Sequence, residues 1–346
     1  MKKVIAITLS VLLIFSLLPM AAFAKAPTEE IEAKVFALRD YLYGEKTNFT
    51  ADEGYDLYLY LITGGDPTNF KDGYIQSVKD AFEQGKMDTA DKVAILANNL
   101  MWMGEDDKEF TLNDNSKINL TEKMESLGTN VTSPYNYYFV LTRAESEDYI
   151  NQVKEALESG YTKGSGYDYY GFGTDNTANF GAIETSFLFN DELIADSTEV
   201  VESAKTDKGY YYLSDYGTDA NGNSTASALY FYALNRDEEK ADAAYKLLID
   251  NFAKEDGGFA YAIDGTSDVF ASRDALKALA MYLWVDFSDD EPEQEEEITT
   301  DDAVEQTEGA KQSTPATGDS LAAVCVAGSA VLALGVTLAI RKKEEK

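Results

Sequence analysis

Apolar positions along this chain recur at helical spacing for most of its length, and they sort into two kinds of helix. The segment "NSTASALYFYALN" (Asn223 to Asn235) is apolar nearly all round, which predicts a helix buried on every side. The next segment, "EEKADAAYKLLIDNFAK" (Glu238 to Lys254), carries Ala241, Ala244, Tyr245, Leu248, Ile249 and Phe252 on one stripe with charges opposite. That pattern predicts a one-sided outer helix. Between such helices lie short glycine-rich connections with Asp, Asn, Ser and Thr.

The pattern repeats. "GYDYYGFGTDNTANFGAIETSFLFN" from Gly166, "GYYYLSDYGTDANGNSTASALYFYALN" from Gly209 and "GFAYAIDGTSDVFASRDALKALAMYLW" from Gly258 share an order: Gly-aromatic, a tyrosine-rich stretch, a polar turn, an apolar helix. The Gly-aromatic landmarks lie 43 and 49 residues apart. Earlier stretches from Leu57, Ile95 and Ser133 read as more diverged copies, giving six units of roughly 40 to 50 residues. An inner and an outer helix per unit, six times over, predicts a closed double ring. The expected inner-helix N-caps are Asp175 or Asn176, Asn223 or Ser224, and Ser267. Gly257 and Gly258 read as a joint where an outer helix ends and the chain turns inward, since such joints favour residues free to take positive φ.

The run "DGGFAYAIDGTSDVFASRDALKALAMYL", with "GGDPTNF" after an earlier helix, resembles the α/α-toroid repeats of terpenoid cyclases and protein prenyltransferases. It is similar, more closely, to the non-enzymatic branch in Gram-positive surface proteins and in the helical domain of cobalamin carriers. The resemblance covers about Glu29 to Phe287 and implies an all-α fold, an α/α toroid of about six helix pairs. It also raises a corrinoid as ligand, although those carriers close their site with a second, β-rich domain for which this chain has no room.

The ends of the chain carry different signals. Lys2 and Lys3 precede an apolar run ending in Ala22-Phe23-Ala24, so residues 1–24 read as a secretory signal cut between Ala24 and Lys25. Residues 25–287 form the predicted domain. Residues 288–313 are dense in acids and almost free of large apolar side chains, which predicts a disordered, self-repelling tether spanning roughly 30 Å or more. Residues 314–346 hold "TPATG", an uncharged apolar stretch over 321–340, and "RKKEEK". Twenty apolar residues match a bilayer core of about 30 Å, so this stretch reads as a transmembrane helix held by its basic tail. The order resembles the sorting signal of Gram-positive surface proteins, with Pro315 as the recognised proline and Thr314 where the common pattern has Leu. The resemblance implies that a sortase cuts between Thr317 and Gly318 and joins Thr317 to peptidoglycan. The chain is then secreted and cell-wall anchored, touching the membrane only before sorting.

Composition removes several chemistries. There is no histidine, and the one cysteine, Cys325, lies inside the apolar terminal stretch. Ser-His and Cys-His nucleophile pairs, disulfides and His- or Cys-based metal sites are therefore absent from the domain, and no metal or cofactor is expected. The net charge of −33 disfavours nucleic acid and anionic polymers as partners. No Asp-x-Asp-Asp cyclase acid occurs in the domain, "DFSDDE" (Asp286 to Glu291) belonging to the start of the tether. "TDANGNST" fails as a calcium loop from Asp219, which would want Gly and Glu where Ser224 and Tyr230 stand.

Two sets of candidate residues remain. Tyr167, Tyr169, Tyr170 and Phe172 in one connection, and Tyr210, Tyr211, Tyr212 and Tyr216 in the next, offer aromatic faces and hydroxyls suited to a glycan, a planar ring or a protein. Asn136 and Tyr137, at the start of the third inner helix, join this expected tyrosine-rich mouth. The other set is a carboxylate pair, Glu184 and Asp274, which a glycosidase would need, the alternative reading being a carbohydrate-active enzyme, glycosidase or lyase. A bare spacer or adhesin uses neither. Replacing Thr317 by Ala is expected to shift the mature chain from the muramidase-released wall fraction to the membrane fraction, read by immunoblot; an unchanged wall fraction contradicts the sorting assignment.

Overall fold

The computed structural model describes residues 28–167, 171–187, 189–212 and 217–287. The described part is all-α in character, with twelve α-helices and two short two-stranded hairpins. The signal segment, acidic tether, transmembrane stretch and sorting residues Ala24, Lys25, Thr317 and Gly318 lie outside the described residues. Among the described residues no helix is long and apolar enough to cross a membrane.

Helices of two kinds alternate along the chain. The first set comprises α1 (Thr28–Tyr43), α3 (Lys71–Glu83), α5 (Leu120–Ser126), α7 (Glu147–Glu158), α9 (Asp191–Ser203) and α11 (Glu238–Phe252). Each buries one stripe; α7, for example, buries Tyr149, Val153 and Leu157 and leaves its other faces to water. The second set comprises α2 (Gly54–Ile62), α4 (Ala90–Trp102), α6 (Tyr137–Arg143), α8 (Gly173–Phe187), α10 (Gly222–Leu234) and α12 (Val269–Trp284). Every residue of α8 from Gly173 to Glu184 is buried, and α10 is buried through Ala233 except at Asn223.

The second set packs in succession: α2 on α4, α4 on α6, α6 on α8, α8 on α10, and α10 on α12. Helix α12 then returns to α1 and α2, so the series of contacts comes back to its start. Two polar contacts mark this return. Arg273 on α12 donates to Asp56 of α2 at 2.6 Å, and Tyr245 on α11 donates to Glu30 of α1 at 3.0 Å. The apolar interior is one continuous cluster running from Ile31 to Val285.

The Gly-aromatic landmarks have a common structural role. The backbone N–H of Tyr167 donates to the Thr177 hydroxyl at 3.0 Å, that of Tyr210 to Thr225 at 3.0 Å, and that of Phe259 to Ser272 at 2.9 Å. In each unit the extended segment is thus bolted to a hydroxyl on the following buried helix. Close approach explains the glycines: a Cβ on Gly166 would sit 2.1 Å from Thr177 Oγ1, and one on Gly209 2.5 Å from Thr225 Oγ1. Gly166 also holds φ +71° and Gly257 φ +88°, where a side chain is strained. The glycines are joints.

The helix caps differ from the expectation: Asp175 and Asn176 lie inside α8, which begins at Gly173, and the caps of α10 and α12 stand a residue or two before or after the expected ones. Asn221, not Asn223 or Ser224, caps α10 by accepting from Ser224 N, and Asp268, not Ser267, caps α12. Several cap-competent residues stand in a row at both places. The choice falls to the one fixed by extended pairing: Asn221 N bonds Tyr210 O at 2.9 Å, and Asp268 N bonds Phe259 O at 2.8 Å.

Thr225→Val is expected to cost about 1–3 kcal/mol by stranding the buried Tyr210 N–H, whereas Thr225→Ser retains most of the stability. Chemical denaturation of the two variants measures the difference; equal midpoints contradict the bolt.

Candidate functional site

A cavity of about 650 Å³ opens among the buried helices. Helical spacing determines which side chains reach it, because residues three or four apart share a face. Helix α2 contributes Tyr55, Tyr58 and Ile62, and α8 contributes Asp175, Asn179 and Ile183. Helix α10 contributes Asn223, Ser227 and Tyr230, and α12 contributes Phe270, Arg273, Asp274, Lys277 and Met281. The 3-10 turn Pro134–Asn136 and α6 bring Tyr135, Asn136, Tyr138 and Phe139, while Phe172 and Tyr212 enter from connections.

The polar floor is a connected set. The Lys277 ammonium donates to Asn179 Oδ1 and lies 4.3 Å from the centroid of the Tyr230 ring. Asn179 Nδ2 in turn donates to Ser227 Oγ at 3.1 Å and to the Asp175 carbonyl at 2.8 Å. Asn223 Nδ2 donates to Asp274 Oδ2 at 2.7 Å. Arg273 faces Asp56, which also accepts from the Tyr43 hydroxyl at 3.1 Å. Two buried acceptors are left over: Asp175 Oδ1 and Asn223 Oδ1 have no hydrogen-bond partner. Unpaired buried acceptors of this kind cost about 1–3 kcal/mol each.

Burial dominates the electrostatics. It pushes the Asp175 carboxyl up to about 8, with neighbouring Asp274 adding to the shift and the Ser224 hydroxyl and Lys277 holding it back. Asp274 is raised chiefly by burial, against the pull of Lys277, Asn223 and Arg273. Burial lowers Lys277, and the two carboxylates oppose that shift. The walls are aromatic and apolar; Tyr58 meets Phe139 edge-on at 4.7 Å between centroids. A second, smaller cavity of about 220 Å³ lies beside α1, but its Arg39 and Lys46 are already held by the Thr63 carbonyl and Glu53.

Of the residues expected at a tyrosine-rich mouth, the structure brings Tyr212, Phe172 and Asn136 to the cavity. Tyr167 and Tyr210 are fully buried in the core behind it, and Tyr137 is nearly so. Half-buried Tyr211 presents its carbonyl to the Thr174 hydroxyl at 2.6 Å and does not line the cavity. Tyr169, Tyr170 and Tyr216 lie outside the described residues. The carboxylate pair is not brought together there: Asp274 lines the cavity, whereas Glu184 is wholly buried against Tyr167, whose hydroxyl donates to it at 3.4 Å. Burial and nearby Glu158 raise Glu184 to about 8, and its Oε2 has no hydrogen-bond partner.

Sequence reasoning missed Asp175 as an acid, having placed it as a cap, and missed Lys277, Tyr55, Tyr58, Tyr138 and Tyr230. A signal was present: Asp175 with Asn179, and Asn223 with Ser227, put polar groups four residues apart on helices otherwise fit for full burial. Among the described residues no group of three metal-ligating side chains converges. Comparison with protein-family models and with curated proteins finds no match for this chain.

Asp175 makes stability pH-dependent in a definite direction. Its folded pKa lies above the ordinary 3.8, so the folded chain holds more protons than the unfolded one between about pH 4 and 8. Stability therefore falls as pH rises through that window. Asp175→Asn is expected to be more stable than the parent at pH 8, by up to a few kcal/mol, and to differ little at pH 4. Thermal melts of both proteins across the window test this; a pH-independent difference contradicts the buried, neutral carboxyl.

Proposed function

We propose that this is a secreted, peptidoglycan-anchored surface protein whose helices close into an α/α toroid that binds a small extracellular ligand without transforming it. The succession of buried helices returning from α12 to α2 supports the toroid. The terminal sequence signals support the export and the sortase-dependent attachment through Thr317. One observation carries the binding role: a cavity of about 650 Å³, aromatic-walled and floored by Asp175, Asn179, Asp274 and Lys277, lies within the range of roughly 300–1,000 Å³ typical of small-molecule sites. The ligand site in this reading is the central cavity, with Tyr212 the member of the tyrosine-rich connections that serves it. A volume of this size suits a few sugar units or a compact planar ring. A corrinoid would need a cover from another protein.

The second reading is a carbohydrate-active enzyme. The observation favouring it is that two carboxylates, Asp175 and Asp274, share one cavity with their pKa values raised, as a general acid requires. In that reading Asp175 takes the place given to Glu184 from the sequence.

A thermal-shift screen of the full chain in mild detergent against neutral glycans, corrinoids and mucin-type glycoproteins separates these readings. Binding predicts a saturable rise in melting temperature that is lost in Tyr212→Ala, with no new products on chromatography. Cleavage that disappears in Asp274→Asn establishes the enzyme instead, and silence throughout favours a surface spacer or adhesin.

A further inference from the structure

The lining of the cavity narrows the class of ligand, on the reading that the cavity is a binding site. A cation would meet Lys277 and Arg273, and an anion would meet Asp175, Asp274 and a chain of net charge −33. Arg273 is paired with Asp56, and Lys277, which bonds the amide of Asn179, has the Asp274 carboxyl close enough to act on its charge. The lining also carries uncharged hydrogen-bonding groups, on Asn136, Asn179, Asn223 and Ser227, and just behind it the buried Asp175 Oδ1, Asn223 Oδ1 and Arg273 Nε have no partner. Hydroxyl groups match such donors and acceptors without bringing charge into a low-dielectric space. Burial supports the same conclusion, because it keeps Asp175 largely neutral below about pH 8 and able to donate as well as accept.

The aromatic groups do not stop at the cavity. Phe172 and Tyr212, both in its lining, lie 5.4 Å apart between centroids. Tyr212 then meets Tyr261 at 6.2 Å, and Tyr261 is 43 % exposed. Phe270, which lines the mouth, is 68 % exposed, and neighbouring Val269 is 48 % exposed. These three are the large apolar side chains most open to water in the described chain. Tyr261 through Tyr212, and Phe270 directly, extend the aromatic wall of the cavity towards water.

We infer that the cavity takes the end of a neutral glycan chain, its terminal unit enclosed beside Asp175, Asn223 and Tyr212 and its following units lying along Tyr261 and Phe270. The apolar C–H faces of a sugar fit flat against such rings, and its hydroxyls meet the polar lining of Asn179, Ser227 and Asp274. A free monosaccharide would use the floor alone and leave the exposed rings without a role.

Isothermal titration of the full chain in mild detergent tests this with chitooligosaccharides and maltooligosaccharides of one to four units, and with spermidine and tri-galacturonate as charged probes. At least one neutral series is expected to bind, with affinity rising roughly tenfold or more from one unit to three, the scale of one or two ring contacts. Tyr261→Ala, at an exposed position, removes that rise and leaves the single unit's affinity unchanged. Tyr212→Ala, or Asn223→Ala if the former does not fold, weakens every length. Silence of both neutral series, or affinity independent of length, overturns the inference. Binding of a charged probe in place of the sugars, lost in Tyr212→Ala, overturns the glycan class while keeping the cavity as a site. Sugar binding unmoved by both cavity variants overturns the cavity itself.

Discussion

The ion pair between Arg273 and Asp56 joins residues 217 positions apart and ties α12 to α2 at the edge of the cavity. Asp56 is almost wholly buried at the start of α2, and Arg273 sits on the first turns of α12, the last helix of the described chain. Asp56 is the more deeply buried partner, its side chain 11 % exposed against 30 % for Arg273, so the pair is partly screened by water. Tyr43 bonds the same carboxylate. Because Arg273 also lines the cavity, the contact that ends the series of helices also completes the site.

The remaining architecture follows from how the buried helices satisfy their polar neighbours. A helix with no face in water cannot leave the connection that feeds it to solvent, so each late unit attaches its Gly-aromatic segment to a hydroxyl on the next buried helix. Thr177, Thr225 and Ser272 serve this purpose one unit after another. The aromatic residue's ring then faces the core, which is why Tyr167, Tyr210 and Phe259 are fully buried. Alternation along the extended segment puts Tyr210 and Tyr212 inward and leaves Tyr211 half-buried, and Tyr212, two residues further along, lines the cavity.

That alternation separates what could be read from the sequence from what could not. Helix type was legible because burial on one stripe or on all sides writes itself into local spacing, as in Glu238–Phe252 and Gly222–Leu234. The joint at Gly166, Gly209 and Gly258 was legible because it recurs. The cavity was not, because it is assembled from side chains of α2, α6, α8, α10 and α12, each contributing two to five residues. Asp175 resembles a cap in sequence, since acids are common in a first helical turn, and only its neighbours across the cavity distinguish it. Tyrosine count was a poor guide for a related reason: Tyr167 and Tyr210 are as polar at the tip as Tyr212, yet packing gives them buried positions in the core.

The central claim is that the cavity among the buried helices, not the outer surface, receives the ligand. Hydrogen–deuterium exchange of the full chain with and without a bound oligosaccharide tests it most directly. The account predicts added protection in the first turns of α8, α10 and α12 and around Tyr212 and Tyr261, with the outer helices α3, α5 and α7 unchanged. Protection confined to the outer helices, with those first turns unaffected, would contradict it.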